Sequence, residues 1–242
     1  MCIRDSPTAS YGSDADGRLT ARPGQTMAHD HLGRLASVTT SSGTTTYAYD
    51  PLDRLRTVSA PGGSVTRFRY TGLTTTAAQL IDDTSGTVTR SIANGWTAER
   101  LADWIPGTPA TGQRVYGTNA HHDTTWLAKD DGTVLSSLRY DPWGVPRSTP
   151  AAGYTPFRFQ GSWHDTGTDL AWVVTRWYAP ALGTFITEDS LLGQPRDPDS
   201  RHLYAYAQGE PVGSWDPDGR YWYKVRNGDS LEGLAMRYLR GK

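Results

Sequence analysis

The sequence has almost no sulfur chemistry: one cysteine, Cys2, in 242 residues. That excludes an intrachain disulfide, a zinc–thiolate cluster and a CxxC redox motif. Its longest apolar run, Leu170–Val174, is five residues, far short of the roughly 20 that span a bilayer as a helix. Phenylalanine (4), methionine (3) and lysine (3, against 21 arginines) are all scarce. A net charge of −1 leaves no surplus to hold nucleic acid or an anionic membrane, so neither is expected as a partner of this segment. Helical periodicity is missing before residue 220. What remains is 31 Thr, 13 Tyr, 9 Trp, 26 Gly and 15 Pro, strand formers punctuated by turn formers. The composition predicts an all-β chain.

Met1-Cys2-Ile3-Arg4-Asp5-Ser6 resembles the translation of a transposon-end adapter used in sequencing libraries. On that reading the chain is a metagenomic fragment, Cys2 is foreign to it, and the missing leader carries no meaning. The native sequence then shows an internal repeat. His29-Asp30-His31-Leu32-Gly33-Arg34-Leu35 aligns with Tyr49-Asp50-Pro51-Leu52-Asp53-Arg54-Leu55, twenty residues on. Asp16-Gly17-Arg18-Leu19 is a weaker copy, and Tyr70-Thr71-Gly72-Leu73 and Tyr140-Asp141-Pro142-Trp143-Gly144 follow. Between these anchors the chain alternates: Tyr47 and Tyr49 share one strand face, and Thr66, Phe68 and Tyr70 another. Each unit is long enough for a hairpin, and one hairpin must stack on the next to bury its apolar face.

Residues 74–133 carry the weakest pattern, with strands expected at 87–92, 114–116 and 133–140 and a loop at 106–112. A dense aromatic block follows at 154–219, with Leu170–Trp177 expected as one long central strand. Beyond 220, Tyr223-Lys224-Val225 reads as a strand. Leu231, Leu234, Ala235 and Tyr238 line one helix face, with Asp229 and Glu232 as a capping box and Gly241 as a stop. The expected division is a 1–13 start, repeats over 14–150, an aromatic block over 151–219 and a tail over 220–242.

These motifs carry a resemblance. The Tyr-Asp-x-x-x-Arg-Leu units resemble YD (Rhs) repeats. The ordered string Phe157-Arg158-Phe159-Gln160-Gly161, Leu170, Arg176-Trp177-Tyr178-Ala179-Pro180, Gly183-Thr184-Phe185-Ile186 and Leu203-Tyr204-Ala205-Tyr206 resembles the Rhs repeat-associated core. The resemblance implies an arc of a spiralling antiparallel β-sheet shell, the core plugging one end and a variable C-terminal cargo, often a toxin, enclosed. It implies a secreted or cell-surface protein of the polymorphic-toxin kind. The tail Tyr223–Tyr238 resembles the first half of a LysM module. That implies binding of N-acetylglucosamine glycans, peptidoglycan or chitin, through Gly228, Asp229, Ser230 and Leu231, and suggests a cell-wall protein as the alternative reading.

The one activity the resemblance implies is self-cleavage. In such cores two aspartates of DPxG-type motifs act as an aspartyl-protease-like pair, and here the matching residues are Asp189 and Asp216. Asp216-Pro217-Asp218-Gly219, led by Pro211, matches the second motif. Asp189-Ser190 has Ser where Pro is usual, and Arg220 stands where Leu usually precedes the cut. Two close carboxylates can divide acid and base roles, although Asp-Pro and Asp-Gly pairs also favour plain turns. His121-His122-Asp123 and His29/His31 lack a spaced third ligand, so no metal site is expected, and no cofactor. Ser162, His164 and Asp165 are too close in sequence for a triad. Trp163, Trp172, Trp177, Trp215 and Trp222 fit a β core better than a sugar platform.

Overall fold

The repeats at 29–35 and 49–55 turn where an aromatic strand end, His29 or Tyr49, meets an aspartate. Asp50 Oδ1 accepts the backbone N–H groups of Leu52 (2.9 Å) and Arg54 (3.0 Å), closing the turn, while Oδ2 accepts from Arg54 Nε (2.7 Å). Asp30 does the same with Leu32 and Arg34, and Asp14 with Asp16 and Arg18. The fourth turn position needs a left-handed backbone: Gly33 takes it at φ 79° and Asp53 at φ 59°, within the small set of residues that tolerate it. The arginine then does two further things. Its guanidinium lies under the next unit's tyrosine, Arg34 under Tyr49 at 4.7 Å and Arg54 under Tyr70 at 4.4 Å. It also braces the next unit's turn, Arg34 through Asp53 (2.7 Å) and Arg54 through the carbonyls of Gly72 and Thr74 (both 2.9 Å). The tyrosine hydroxyl returns the contact: Tyr49 donates to the Leu35 carbonyl and Tyr70 to that of Leu55, each at 2.7 Å. The Tyr-Asp-Arg-Leu signature is thus one cross-strand staple, repeated.

The structure, a computed structural model, describes residues 10–95, 99–107, 112–148, 154–193, 198–217, 219–220 and 223–224. Thirteen strands, from β1 (Gly12–Ser13) to β13 (Val134–Ser137), form one antiparallel sheet in strict chain order. Every neighbour in the chain is a neighbour in the sheet. The all-β expectation holds, and no α-helix occurs among the described residues. The expected strands at 87–92 and 114–116 appear as β9 (Val88–Asn94) and β11 (Arg114–Thr118). The weakly patterned stretch also contains β8 (Ala77–Asp82), β10 (Arg100–Trp104) and β12 (Thr124–Lys129), which the sequence did not announce.

A second sheet, of four strands, packs on the large one: β14 (Trp163–Asp165), β15 (Leu170–Val173), β16 (Arg176–Ala179) and β17 (Thr184–Phe185). The expected single strand Leu170–Trp177 is instead a hairpin. Val174 sits at φ 51° and reverses the chain, so that Trp172 pairs with Trp177 and Val173 with Arg176. A short apolar run cannot by itself distinguish one buried strand from two joined by a tight turn. The hairpin buries both faces. Leu170, Trp172, Trp177 and Ala179 join Leu35, Val38, Leu55, Val58 and Phe68 of the large sheet, with ring centroids 4.5 Å apart for Tyr47–Trp177. Ala171, Val173 and Tyr178 join Phe159, Phe185 and Tyr206 on the other side. Tyr47 also donates to Asp165 Oδ2 at 2.5 Å, fastening the β14–β15 turn to the large sheet.

A two-stranded ribbon, β18 (Ser214–Trp215) with β19 (Tyr223–Lys224), completes the described chain. The expected tail helix and the glycan residues Gly228, Asp229, Ser230 and Leu231 lie outside the described residues, as do Trp222 and the adapter-like start.

Candidate functional site

Asp189 and Asp216 come from different elements and meet at one arginine. Arg176 opens β16, buried, its Cζ stacked 3.7 Å over the ring of Phe185. Its Nη2 lies 2.7 Å from Asp189 Oδ2 and 3.8 Å from Asp216 Oδ2. Its Nη1 donates to the Leu203 carbonyl (2.9 Å) and its Nε to the Gly219 carbonyl. A planar guanidinium has donors on three sides, and here each side holds a different piece of the site.

The two aspartates are fixed locally as well. The Asp189 backbone N–H donates to the same Leu203 carbonyl (3.0 Å), and its Oδ1 accepts the Leu191 N–H (2.9 Å). Asp216 Oδ1 accepts the N–H groups of Gly219 (2.8 Å) and Arg220 (3.1 Å), an Asx-type turn over the motif. Gly219 is at φ 77°, and a Cβ there would stand 2.5 Å from the Val173 carbonyl, so the DPxG glycine lets this turn lie against the β15–β16 hairpin. Pro211 is half-buried in the turn before β18, Pro217 is half-buried, and Arg220 is exposed. A cavity of 190 Å³ borders Arg176, Asp189, Asp216 and Arg220, with Ser200 and His202 on its wall. Asp197-Pro198-Asp199 is a further Asp-Pro motif, without the glycine, and its Asp197 lies outside the described residues.

A second polar cluster lies next to this one, behind the ribbon. His121 Nδ1 is 2.9 Å from Asp123 Oδ1, and its Nε2 is 3.1 Å from both the Ser214 carbonyl and the Tyr206 hydroxyl. Asp123 also accepts from the Gln160 N–H (3.0 Å) and Asn119 Nδ2 (2.8 Å). His122 stacks on Trp215 at 4.4 Å, and burial pushes its pKa down. The neighbours His121 and His122 therefore serve different contacts, and among the described residues no group of three His, Cys, Asp or Glu side chains is arranged to hold a metal ion. The Ser162, His164 and Asp165 set is likewise divided: Asp165 is held by Tyr47, while His164 faces Arg158 at 3.5 Å. Trp163, Trp172 and Trp177 sit in or against the core.

Sequence reasoning found the aspartates but not Arg176. The signal was available: between Leu170 and Ala179 the only polar residues are Thr175 and Arg176, and a lone arginine in a buried strand needs acidic or carbonyl partners.

Comparison with known proteins places the chain. The RHS Repeat family model matches residues 29–65. The tRNA3(Ser)-specific nuclease WapA of Bacillus spizizenii is 30% identical over 168 residues, 68% of this chain and 7% of that protein. The tRNA nuclease WapA of Bacillus subtilis is 32% identical over 115 residues, 46% of this chain and 5% of that protein. Toxin protein Tse5 of Pseudomonas aeruginosa is 35% identical over 80 residues, 33% and 6% of the two chains. Among solved structures, the Photorhabdus luminescens Tc holotoxin pore matches 92% of this chain and 11% of its own (TM-score 0.63, 20% identity). The TcdB2-TccC3 crystal structure matches 86% and 11% (TM-score 0.62, 21% identity). At those identities the likeness is one of fold. This chain spans less than a tenth of the curated relatives' length. Two of those relatives bear the names of tRNA nucleases.

Proposed function

The chain is an RHS-repeat protein, and from that premise we propose that it is one arc, with the end plug, of a secreted or cell-surface β-shell that encloses a toxic C-terminal cargo. The observation that carries this reading is the strict chain order of the thirteen strands. A sheet that adds each strand beside the last has no internal stop and grows by repeats, and its free edges are safest when the sheet closes on itself. The four-stranded core on its apolar face supplies a plug that shares the same hydrophobic cluster. Limited proteolysis of the complete protein tests this: an enclosed cargo resists protease until the shell melts, whereas an external one is cut at once.

The Asp189–Asp216 site is the self-cleavage centre in this proposal, acting on the peptide bond after Arg220. Water adds hydroxyl to the Arg220 carbonyl carbon and a proton to the departing nitrogen as the C–N bond breaks, with one aspartate as base and the other as acid. What supports this is the convergence of two separated DPxG-type aspartates on one guanidinium, which turn formation alone does not require. Mass spectrometry of the complete protein beside Asp216→Asn tests it. Two chains in the wild type and one in the variant support cutting, and one chain in both refutes it. The glycan-binding alternative rests on the resemblance of the tail alone, and pull-down on chitin with the complete tail tests it.

A further inference from the structure

We infer that Arg176 is the positioning residue of the Asp189–Asp216 centre: one guanidinium that sets both carboxylates and the peptide just before the cut bond. The inference rests on the self-cleavage reading above and adds a residue to it. Three contacts carry it. Nη2 is shared between Asp189 (2.7 Å) and Asp216 (3.8 Å), so neither carboxylate can move without disturbing the other's partner. Nε grips the Gly219 carbonyl, while the N–H of the same peptide, on Arg220, is held by Asp216 Oδ1 at 3.1 Å. That peptide plane is therefore fixed at both ends, one residue ahead of the bond to be cut. Nη1 shares the Leu203 carbonyl with the Asp189 backbone N–H, tying the guanidinium's plane to the loop that carries the first aspartate.

The arginine is itself held. Phe185 stacks under it at 3.7 Å, and its side chain is 7% exposed. It opens β16, which lies between two strands of the core sheet. Holding reacting groups in register from a rigid strand is how a protein turns favourable placement into rate. The geometry also says why lysine is a poor substitute. An ammonium on a flexible stem is a point charge, able to pair with Asp189 but without the planar fork that serves three directions at once. Orientation, not charge alone, is what this site asks of residue 176.

The test uses the complete protein in wild-type, Asp216→Asn, Arg176→Lys and Arg176→Ala forms, following the cut fraction with time by mass spectrometry from pH 5 to 8. Arg176→Lys is expected to melt cooperatively near the wild type, to cut at least tenfold more slowly and to show an altered pH profile. Arg176→Ala, where it folds, is expected to regain cutting when millimolar guanidinium or methylguanidinium is added, an effect a purely structural role would not give. Wild-type rate and pH profile in Arg176→Lys, with Asp216→Asn uncut, would overturn the positioning role and leave the self-cleavage reading standing. An uncut wild type, identical to Asp216→Asn, would overturn both.

Discussion

Arg54 is the place to ask whether the repeat signature is a staple or a coincidence of turns. Substituting glutamine keeps the stem and a hydrogen-bonding end but removes the charge. The structure shows what is lost: an ion pair to Asp50 at 2.7 Å, with both side chains 15% exposed, two bonds to the carbonyls of Gly72 and Thr74, and the stack on Tyr70 at 4.4 Å. Charge-assisted hydrogen bonds contribute about 1.5–3 kcal/mol net and a cation–π contact at such a site about 0.5–1 kcal/mol. Arg54→Gln should therefore cost about 2–4 kcal/mol. For a chain of this size each kcal/mol is worth about 2–4 °C, so melting followed by circular dichroism should fall by about 5–15 °C. Arg56, exposed on the strand Leu55–Ser59 that Arg54 leads into, is the control: Arg56→Gln should stay within about 0.5 kcal/mol. A double-mutant cycle with Tyr70→Leu isolates the stack and should show coupling of about 0.5–1 kcal/mol. Equal losses at 54 and 56, with no coupling to Tyr70, would refute the staple.

His29 occupies the tyrosine position of its repeat, and both its ring nitrogens are buried without a hydrogen-bond partner; His29→Tyr, restoring the ring that spans to the preceding unit, should raise stability by about 0.5–1 kcal/mol in urea unfolding. Tyr47→Phe strips the hydroxyl from the buried Asp165 and Thr168 and should cost about 1–3 kcal/mol, whereas an unchanged unfolding midpoint would show that water replaces it freely. Burial, with Arg158 and Arg22 nearby, pushes the His164 pKa down from 6.5 to about 4; the unfolded chain then binds the proton first, so this contribution to stability is full above pH 6.5 and is lost as pH falls towards 4, by about 3 kcal/mol at most. Melting temperature should decline from pH 7 to pH 4.5, and His164→Gln should make the decline shallower.

The repeats were legible because each staple residue leaves a mark at fixed spacing: Asp30 and Asp50 for the turn, Arg34 and Arg54 four residues later, and Tyr49 and Tyr70 at the strand ends. Where other residues do the same work the mark disappears. Asn119 closes its turn through Oδ1 on the N–H groups of His121 and Asp123, and Tyr140 donates to the Thr124 carbonyl as Tyr49 does to that of Leu35. The unit is intact, but with Asp123 where the arginine stands elsewhere, no pattern search finds it. The hairpin at Val174 was hidden for another reason, since a β-branched residue at positive φ gives no turn signal. At the site, the aspartates were visible through their Pro and Gly neighbours. Their meeting at Arg176 was not, because it depends on how the strand at 176 packs against loops 13 and 40 residues away in the sequence.

Whether the repeats close into a shell around a cargo is seen by electron cryomicroscopy of the complete protein to which this chain belongs. A closed, hollow β-shell is expected, in which β1 pairs with a strand of a preceding repeat, the thirteen-stranded sheet forms part of the wall, the four-stranded core closes one end, and density for the C-terminal segment lies inside. An extended, open stalk with that segment outside it would rule out the enclosing shell.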